Sequence, residues 1–222
     1  MSDPRPNAPG PRISPLGDAG LTITFADRLD DRAHGQVTAL SAALRRHPFP
    51  GMVEAVPAYV TLSILYRPSE IDFATLRDLV RRALADQAEA TPAPIGRLVE
   101  IPVAYDGPDL AEVAEATGLD ADEVIERHRG RDYRVSLLGF VPGFAYLTEL
   151  DPRLVLPRRS APRPRVPAGS VAIAGGQTGI YPAATPGGWH LIGRTSTRMF
   201  DPAREPAALL SVGDHVRFVA ER

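Results

Sequence analysis

The first half of the chain switches between strand-like and helix-like spacing of its apolar residues. The stretch 13–25 predicts two short strands around a Gly-Asp-Ala-Gly turn, and the stretch 52–66 predicts two more. Apolar residues at helical spacing follow Asp30 or Asp31, and again Asp72, so these acidic residues are predicted to cap two helices. The predicted order, ββαββα, gives a small α+β layer in which both helices cover one face of the sheet.

The second half begins after a compact Pro-Gly break, TPAPIG, where we place a domain boundary. One strand over 97–105 and two helices follow, the first over 108–117 and the second capped by Asp120. Beyond Arg131, short apolar pieces are separated by Gly or Pro every few residues, which is typical of a closed or strongly bent β structure. The predicted organisation is a disordered tail at 1–12, an α+β domain at 13–95 and a β-rich domain at 96–222.

Composition narrows the chemistry available to this chain of 222 residues. The absence of cysteine removes disulfides and thiolate chemistry, and the absence of lysine removes Schiff bases and Walker-type phosphate lysines. A formal net charge of -2 without a basic stripe argues against nucleic acid as a partner. Because the chain lacks a long apolar run and a signal-like start, we predict no membrane association and, as the default, a cytoplasmic location.

Three turn-rich segments, 138–147, 157–182 and 185–195, combine glycines with polar and aromatic residues. Glycine is useful where backbone approaches a ligand or adopts positive φ, although a single glycine more often marks a structural turn. The middle segment also displays Arg158, Arg159, Arg163 and Arg165 on a Pro-spaced loop, where guanidinium groups pair with carboxylate or phosphate. A solvated charged loop explains any one of these arginines equally well.

Polar side chains in the last two segments predict an anion-binding cavity. Strand alternation places His190 and Arg194 on one face and Trp189 on the other, so the first two are expected to line a cavity while Trp189 packs in the core. The alternative, that a lone strand histidine is a satisfied core residue, stays open. Neutral groups suited to an amide or carboxylate ligand are supplied by Gln177, Thr178 and Tyr181.

The other histidines predict no metal site. His34, His47 and His128 fall on predicted helices at spacings that form no metal-binding pair, and no His or carboxylate motif of a known metal site is present. Catalytic serine elbows, P-loops and dinucleotide-binding glycine motifs are also absent. The residues alone therefore predict a ligand-binding, β-rich domain with an anion site.

Four segments in order, GFVPGFAYL, PRRSAPRPRVPAGSVAIAGGQTGIYP, PGGWHLIGRT and VGDHVRF, resemble the successive hallmarks of the allophanate hydrolase subunit 1 family. PLGDAGLTI and VPAYVTLSILY near the start are similar to the amino-terminal pattern of that family. The resemblance covers nearly everything from Ile13 to Val219. Four ordered multi-residue motifs make it specific.

The resemblance implies a fold of the α+β or mainly β class, in which a small ββαββα amino-terminal domain precedes a cyclophilin-like β-barrel domain. It implies one component of an enzyme, inactive alone, that opens 5-oxoproline to glutamate with ATP. Its expected partners are an A subunit together with a homologous C subunit, the latter also of cyclophilin-like fold. ATP is expected to bind mainly on, or together with, one of these partners.

The resemblance also implies that the three turn-rich segments, 138–147, 157–182 and 185–195, line one cleft. His190, Arg194 and Arg163 are expected to act on the substrate or phosphate as catalytic residues. The remaining substrate-binding residues are expected to be Phe140, Pro142, Gly143, Phe144, Gln177, Thr178, Tyr181, Gly187 and Gly188.

Two other functions stay open for the same family resemblance. One is a regulatory protein that binds a sensor histidine kinase and blocks its autophosphorylation. The other is a carboxyltransferase-type component of a urea carboxylase and allophanate hydrolase system.

Overall fold

The computed structural model describes residues 10–28, 30–88 and 96–221. The chain divides into two compact units, Met1–Pro94 and Ile95–Arg222. Most of the predicted disordered tail lies outside the described residues, as does the Pro-Gly break at 91–96 except for its last residue, Gly96. The end of the predicted tail differs from expectation, because Arg12 already belongs to the first strand and its guanidinium pairs with Asp27.

The first unit is an antiparallel sheet with two helices. Its strands, in the spatial order β1-β2-β4-β3, are β1 (Arg12–Pro15), β2 (Gly20–Thr24), β3 (Met52–Ala58) and β4 (Thr61–Tyr66). The helices are α1 (Asp31–Arg46) and α2 (Phe73–Ala88). Asp30 caps α1 by accepting a 2.7 Å hydrogen bond from the backbone N–H of Ala33, as predicted.

The core of the first unit follows the predicted alternation along the central strands. Leu62 and Ile64 of β4 are fully buried, as are Leu21 and Ile23 of β2. The helices contribute buried side chains at helical spacing, among them Val37, Leu40, Leu76 and Val80. Burying each large aliphatic side chain contributes roughly 1.5 to 3 kcal/mol before the entropy of ordering is subtracted.

The second unit is mostly sheet. It begins with β5 (Leu98–Val103), α3 (Leu110–Thr117), α4 (Ala121–Arg129), β6 (Asp132–Leu138) and β7 (Ala145–Thr148). A 3-10 turn at Pro152–Leu154 leads to β8 (Arg163–Val166), β9 (Ser170–Ala174), β10 (Gln177–Ile180), β11 (Thr185–Gly187), β12 (His190–Arg194) and β13 (His215–Ala220). Its main path is β5-β13-β6-β7-β10-β9-β12, and β8 and β11 form a separate two-stranded sheet.

The predicted closed barrel does not form as a continuous ladder. The path of strands is open, and its two end strands share a single bridge between Ala104 and Arg194. Beyond this bridge the chain leaves strand geometry, and the N–H groups of Gly107 and Asp109 donate to carbonyl groups of β12. Gly107 is needed for this approach, because a Cβ there would lie 2.3 Å from the backbone of Ile192. The sheet is therefore strongly bent and joined at its ends by loop backbone.

The side chains of the second unit form two buried clusters. The larger one includes Ile101, Val135, Leu147 and Phe218. The smaller one contains Phe144, Tyr181 and Trp189 with aliphatic residues of β8, β9 and β12. The candidate site lies at this smaller cluster.

Candidate functional site

An aromatic pocket opens at the smaller cluster and encloses about 360 Å³, part of it open to solvent. The loop between β6 and β7, the loop before β8 and the segment around β11 all contribute to its wall. The lining residues are Phe140, Phe144, Tyr146, Arg158, Tyr181, Pro186, Gly187, Gly188 and Trp189. Five of the predicted substrate-binding residues therefore lie together: Phe140, Phe144, Tyr181, Gly187 and Gly188.

The β6–β7 loop places one phenylalanine at the rim of the pocket and another in its wall. Gly143 has φ of +82°, and a Cβ there would lie 2.6 Å from Cβ of Phe200, so only glycine fits this turn. Phe140 also has positive φ and is 58% exposed, whereas Phe144 is buried. Gly143 shapes the loop without lining the pocket, and Pro142 is exposed on the same loop.

Phe144 is the centre of the aromatic wall. Its ring lies 4.9 Å from that of Tyr146, 5.3 Å from that of Tyr181 and 5.6 Å from that of Trp189, all in edge-to-face geometry. Such pairs add about 0.5 to 1.5 kcal/mol each beyond the area they bury. The wall is therefore held by mutual ring contacts. Trp189 packs in the core, as predicted, and also faces the pocket.

Gly187 leaves room for the hydroxyl group of Tyr181. A Cβ on Gly187 would lie 2.3 Å from Oη of Tyr181, while a Cβ on neighbouring Gly188 would meet nothing closer than 3.6 Å. Burial raises the pKa of the Tyr181 phenol, against a hydrogen bond from the backbone N–H of Trp189 that lowers it. The phenol stays neutral at physiological pH and can donate a hydrogen bond into the pocket.

Arg158 is the single charged side chain among the described residues that line the pocket. It is exposed, and no described residue makes a hydrogen bond or ion pair with its guanidinium. Its neighbours in the same loop differ, since Arg159 and Arg163 both bind the carboxylate of Asp109. Sequence reasoning singled out Arg163 among the four arginines as catalytic, whereas in the structure Arg163 pairs with Asp109 and Arg158 lines the pocket.

Asp109 organises the loop that carries Arg158, and sequence reasoning missed it. Its side chain is 3% exposed, and Oδ1 accepts hydrogen bonds from Arg163 and, at 3.1 Å, from Arg159. Oδ2 accepts a 2.7 Å bond from the backbone N–H of Leu191. Asp109 directly precedes α3, where an aspartate is usually interpreted as a cap, yet its side chain makes no capping bond. The missing signal is long-range, because its arginine partners lie 50 and 54 residues away.

His190 fastens the same loop from the other side. Its Nε2 lies 2.9 Å from the carbonyl oxygen of Pro157, and a carbonyl only accepts, so Nε2 carries the proton. Nδ1 lies 3.7 Å from Glu112 and has no hydrogen-bond partner. The side chain is 9% exposed and does not line the pocket. The alternative of a largely satisfied core histidine therefore describes its position better than that of a cavity wall.

Arg194 lies apart from His190, which corrects the expectation that both share one face. The register of β12 against β9 shifts between Leu191 and Gly193, so one extra residue enters β12 and breaks the alternation on which that expectation rested. Arg194 is 68% exposed and its guanidinium pairs with Asp106 at 2.8 Å. It does not line the pocket.

Thr178 and Gln177 also lie outside the pocket. Thr178 is fully buried, and its hydroxyl donates to the carbonyl of Ala172 at 3.0 Å and lies 2.8 Å from Nε2 of His128. Gln177 is half-buried at the start of β10, opposite Thr148. Neither residue is part of the pocket lining.

His128 is a fully buried titratable group of this unit. Its Nδ1 lies 2.8 Å from Oη of Tyr105, and its ring stacks on Phe218 with centroids 4.6 Å apart. Because Thr178 already donates to Ala172, it accepts from His128 Nε2–H, and Nδ1 accepts from Tyr105. Desolvation lowers the pKa of His128 to about 3. The ring is therefore a neutral core residue.

The described residues contain no group of three His, Asp or Glu side chains arranged to hold a metal ion. Within the same residues, no helix has the length and apolar character needed to span a membrane.

Comparisons with known proteins give a consistent relationship over nearly the whole chain. The family described as carboxyltransferase domain, subdomain C and D, matches residues 11–210. The B subunit of 5-oxoprolinase from Bacillus subtilis (strain 168) is 42% identical over 221 residues, covering 94% of this chain and 92% of the relative. The B subunit of 5-oxoprolinase from Escherichia coli O157:H7 is 47% identical over 184 residues, covering 81% of this chain and 83% of the relative.

A solved structure extends the comparison to three dimensions. The crystal structure of TTHA0988 aligns with a TM-score of 0.83 at 44% identity, covering 91% of this chain. This chain spans 40% of that longer protein. The family relationship inferred from the four sequence motifs is confirmed by these matches.

Proposed function

The chain belongs to the family described as carboxyltransferase domain, subdomain C and D, and from this membership we propose that it is the B subunit of a prokaryotic ATP-dependent 5-oxoprolinase. The observation that carries the proposal is the 42% identity to a 5-oxoprolinase B subunit, which extends over 92% of that relative. We further propose that the second unit is the cyclophilin-like domain of the protein, with the aromatic pocket as its substrate-facing surface.

The proposed reaction requires an activated amide. A five-membered lactam is a poor electrophile, and transfer of the terminal phosphoryl group of ATP to its carbonyl oxygen makes the carbon susceptible to water. Water then adds to this carbon, and the C–N bond breaks to give a γ-glutamyl phosphate as the nitrogen takes up a proton. A second water then displaces phosphate from this acyl phosphate to give glutamate. Negative charge grows on oxygen in these steps, and one well-placed hydrogen-bond donor contributes about 3 kcal/mol in comparable sites.

The pocket supplies only part of what this reaction needs. Its described lining offers a guanidinium, two phenols and glycine backbone, and includes no carboxylate or imidazole that could act as a general base. We therefore propose that the base and most of the ATP contacts come from the two partners, an A subunit together with a homologous C subunit. A chain that carries binding groups without a base is expected to be inactive alone.

The predicted catalytic residues take different parts in this proposal. Arg163 and His190 act as positioning residues, because they hold the loop that carries Arg158 at the pocket. Arg194 is given no part in binding substrate, since its guanidinium is paired with Asp106 away from the pocket.

Reconstitution tests the proposal. The chain is combined with the homologues of the A and C subunits from its own organism, and glutamate release from 5-oxoproline is measured with and without ATP. We expect ATP-dependent release from the mixture of three proteins and none when this chain is omitted. Equal glutamate release with and without this chain would reject the assignment. Assaying autophosphorylation of the organism's sensor histidine kinases with the same preparation tests the regulatory alternative.

A further inference from the structure

One arginine at the mouth of the aromatic pocket has no partner, in a loop whose other arginines are used differently. Arg158 makes no hydrogen bond or ion pair with any described residue. Arg159 and Arg163 share Asp109, whereas Arg165 is exposed on β8 and does not line the pocket. Position, and not charge alone, therefore distinguishes Arg158 within this loop.

The backbone around Arg158 is fixed on both sides. His190 donates to the carbonyl oxygen of Pro157 at 2.9 Å, and the N–H of Arg159 donates to the carbonyl of Gly188 at 2.8 Å. The Arg159 side chain is anchored again at the buried carboxylate of Asp109. A cation whose backbone is fixed in this way loses less conformational entropy when it binds an anion than one on a free loop.

The groups facing Arg158 describe the ligand that would fit. Phe144, Tyr181 and Trp189 offer an apolar, ring-shaped surface, and the Tyr181 phenol adds a neutral donor. The charges of Arg158 and Arg163 oppose the rise in the pKa of the Tyr181 phenol that burial causes. A small ring bearing one carboxylate matches this combination of an aromatic wall with a guanidinium and a hydroxyl.

We propose that Arg158 binds the carboxylate of 5-oxoproline, with the Tyr181 hydroxyl as a second donor and the lactam ring against the aromatic wall. This inference rests on the proposed function. It assigns the recognition of the carboxylate to this chain and leaves the activation of the amide to its partners. Arg158 is thus a residue that determines specificity for an acid over its neutral amide.

The test compares two arginine variants in the reconstituted three-component complex. Arg158→Gln removes the proposed carboxylate partner, and Arg165→Gln removes an exposed arginine of the same loop and strand region as a matched control. Each complex is assayed with 5-oxoproline and with 5-oxoprolinamide, in which a neutral amide replaces the carboxylate. We expect Arg158→Gln to lower kcat/KM for 5-oxoproline by about tenfold to a hundredfold, mainly through KM.

The ratio of kcat/KM for 5-oxoproline to kcat/KM for 5-oxoprolinamide distinguishes a binding role of Arg158 from a structural one. Arg158→Gln should lose most of the preference for 5-oxoproline over the amide, Arg165→Gln should keep it, and Arg158→Lys should keep part of it. A merely structural role for Arg158 would lower both activities together and leave their ratio unchanged, which would overturn the proposal. If the unaltered complex turns over neither substrate with ATP, the proposed function itself fails. An active complex with an unchanged ratio rejects only the role of Arg158.

Discussion

Acidification should destabilise the second unit through one residue, His128. Its ring is fully buried, accepts a hydrogen bond from Tyr105 and donates one to Thr178, so both nitrogens are satisfied only in the neutral form. Protonation would place a second N–H against the Tyr105 hydroxyl and a charge in the apolar core. The prediction is therefore tested by lowering the pH, and replacing His128 shows how much of the loss of stability comes from this residue.

The magnitude follows from the difference between the folded and unfolded pKa values. Burial lowers the pKa of His128 from 6.5 to about 3, so the unfolded chain binds more protons at every pH between these values. The stabilising contribution of the neutral ring is complete above pH 6.5 and is lost progressively as the pH falls. Each pH unit well below the unfolded pKa costs about 1.4 kcal/mol, which amounts to about 2 kcal/mol between about pH 6.5 and about pH 4.5.

The assay is urea unfolding followed by the fluorescence of Trp189, the only tryptophan of the chain and a buried residue of the same unit. The free energy of unfolding is measured across this pH range for the natural chain, for His128→Gln and for His47→Gln, which alters an exposed histidine. Carboxylates that titrate over the range affect all three chains equally. We expect the natural chain and His47→Gln to lose about 2 kcal/mol more than His128→Gln. Parallel pH profiles for all three would refute the reasoning.

Three further substitutions test the site and its supports, each against a neighbouring control. Gly187→Ala should sharply lower turnover of the reconstituted complex, because its Cβ would lie 2.3 Å from the Tyr181 hydroxyl oxygen. Gly188→Ala should retain activity, and equal effects of the two substitutions on kcat/KM would contradict this prediction. Gly143→Ala should cost more than about 1 kcal/mol of unfolding free energy, since φ is +82° and Phe200 is too close, whereas Gly176→Ala, with no neighbour within 4 Å, should cost less. Asp120→Ala should cost about 1 kcal/mol in urea unfolding by removing the cap of α4, and a comparable cost for exposed Asp122→Ala would argue against the cap.

The helices could be predicted because their signals are local. Asp120 accepts from the backbone N–H of Glu123 at 2.7 Å, and Glu123 accepts from the N–H of Asp120 at 3.2 Å, which is the reciprocal capping pattern three residues apart. Asp72 likewise accepts from the N–H of Thr75 at 2.8 Å. Such bonds depend on residues within one turn, so the sequence contains all the information needed to place them.

The candidate site could be predicted from the sequence only for residues whose position depends on local backbone geometry. The turn glycines and aromatic residues pointed to Phe144, Tyr181 and Gly187, which do line the pocket. The expectation for His190 and Arg194 assumed strict alternation, and a bulge invisible in the sequence broke it. Asp109 was missed for a related reason, because its identity as an arginine partner depends on pairings across 50 and 54 residues that no local pattern indicates.

The loop that carries Arg158 shows how a buried carboxylate can serve a binding site without touching its ligand. Asp109 is held by two arginines and one backbone N–H, and replacing a buried, paired charge with apolar residues is often neutral for stability. The contribution of Asp109 to this fold is therefore better explained by how it positions its partners than by stability. Asp109 pairs with Arg159 and Arg163 and ties them to β12, and Glu112 supplies a second carboxylate to Arg159. Arg158 is left as the unpaired cation beside the aromatic wall. Two of three neighbouring arginines thus build the support from which the third can act.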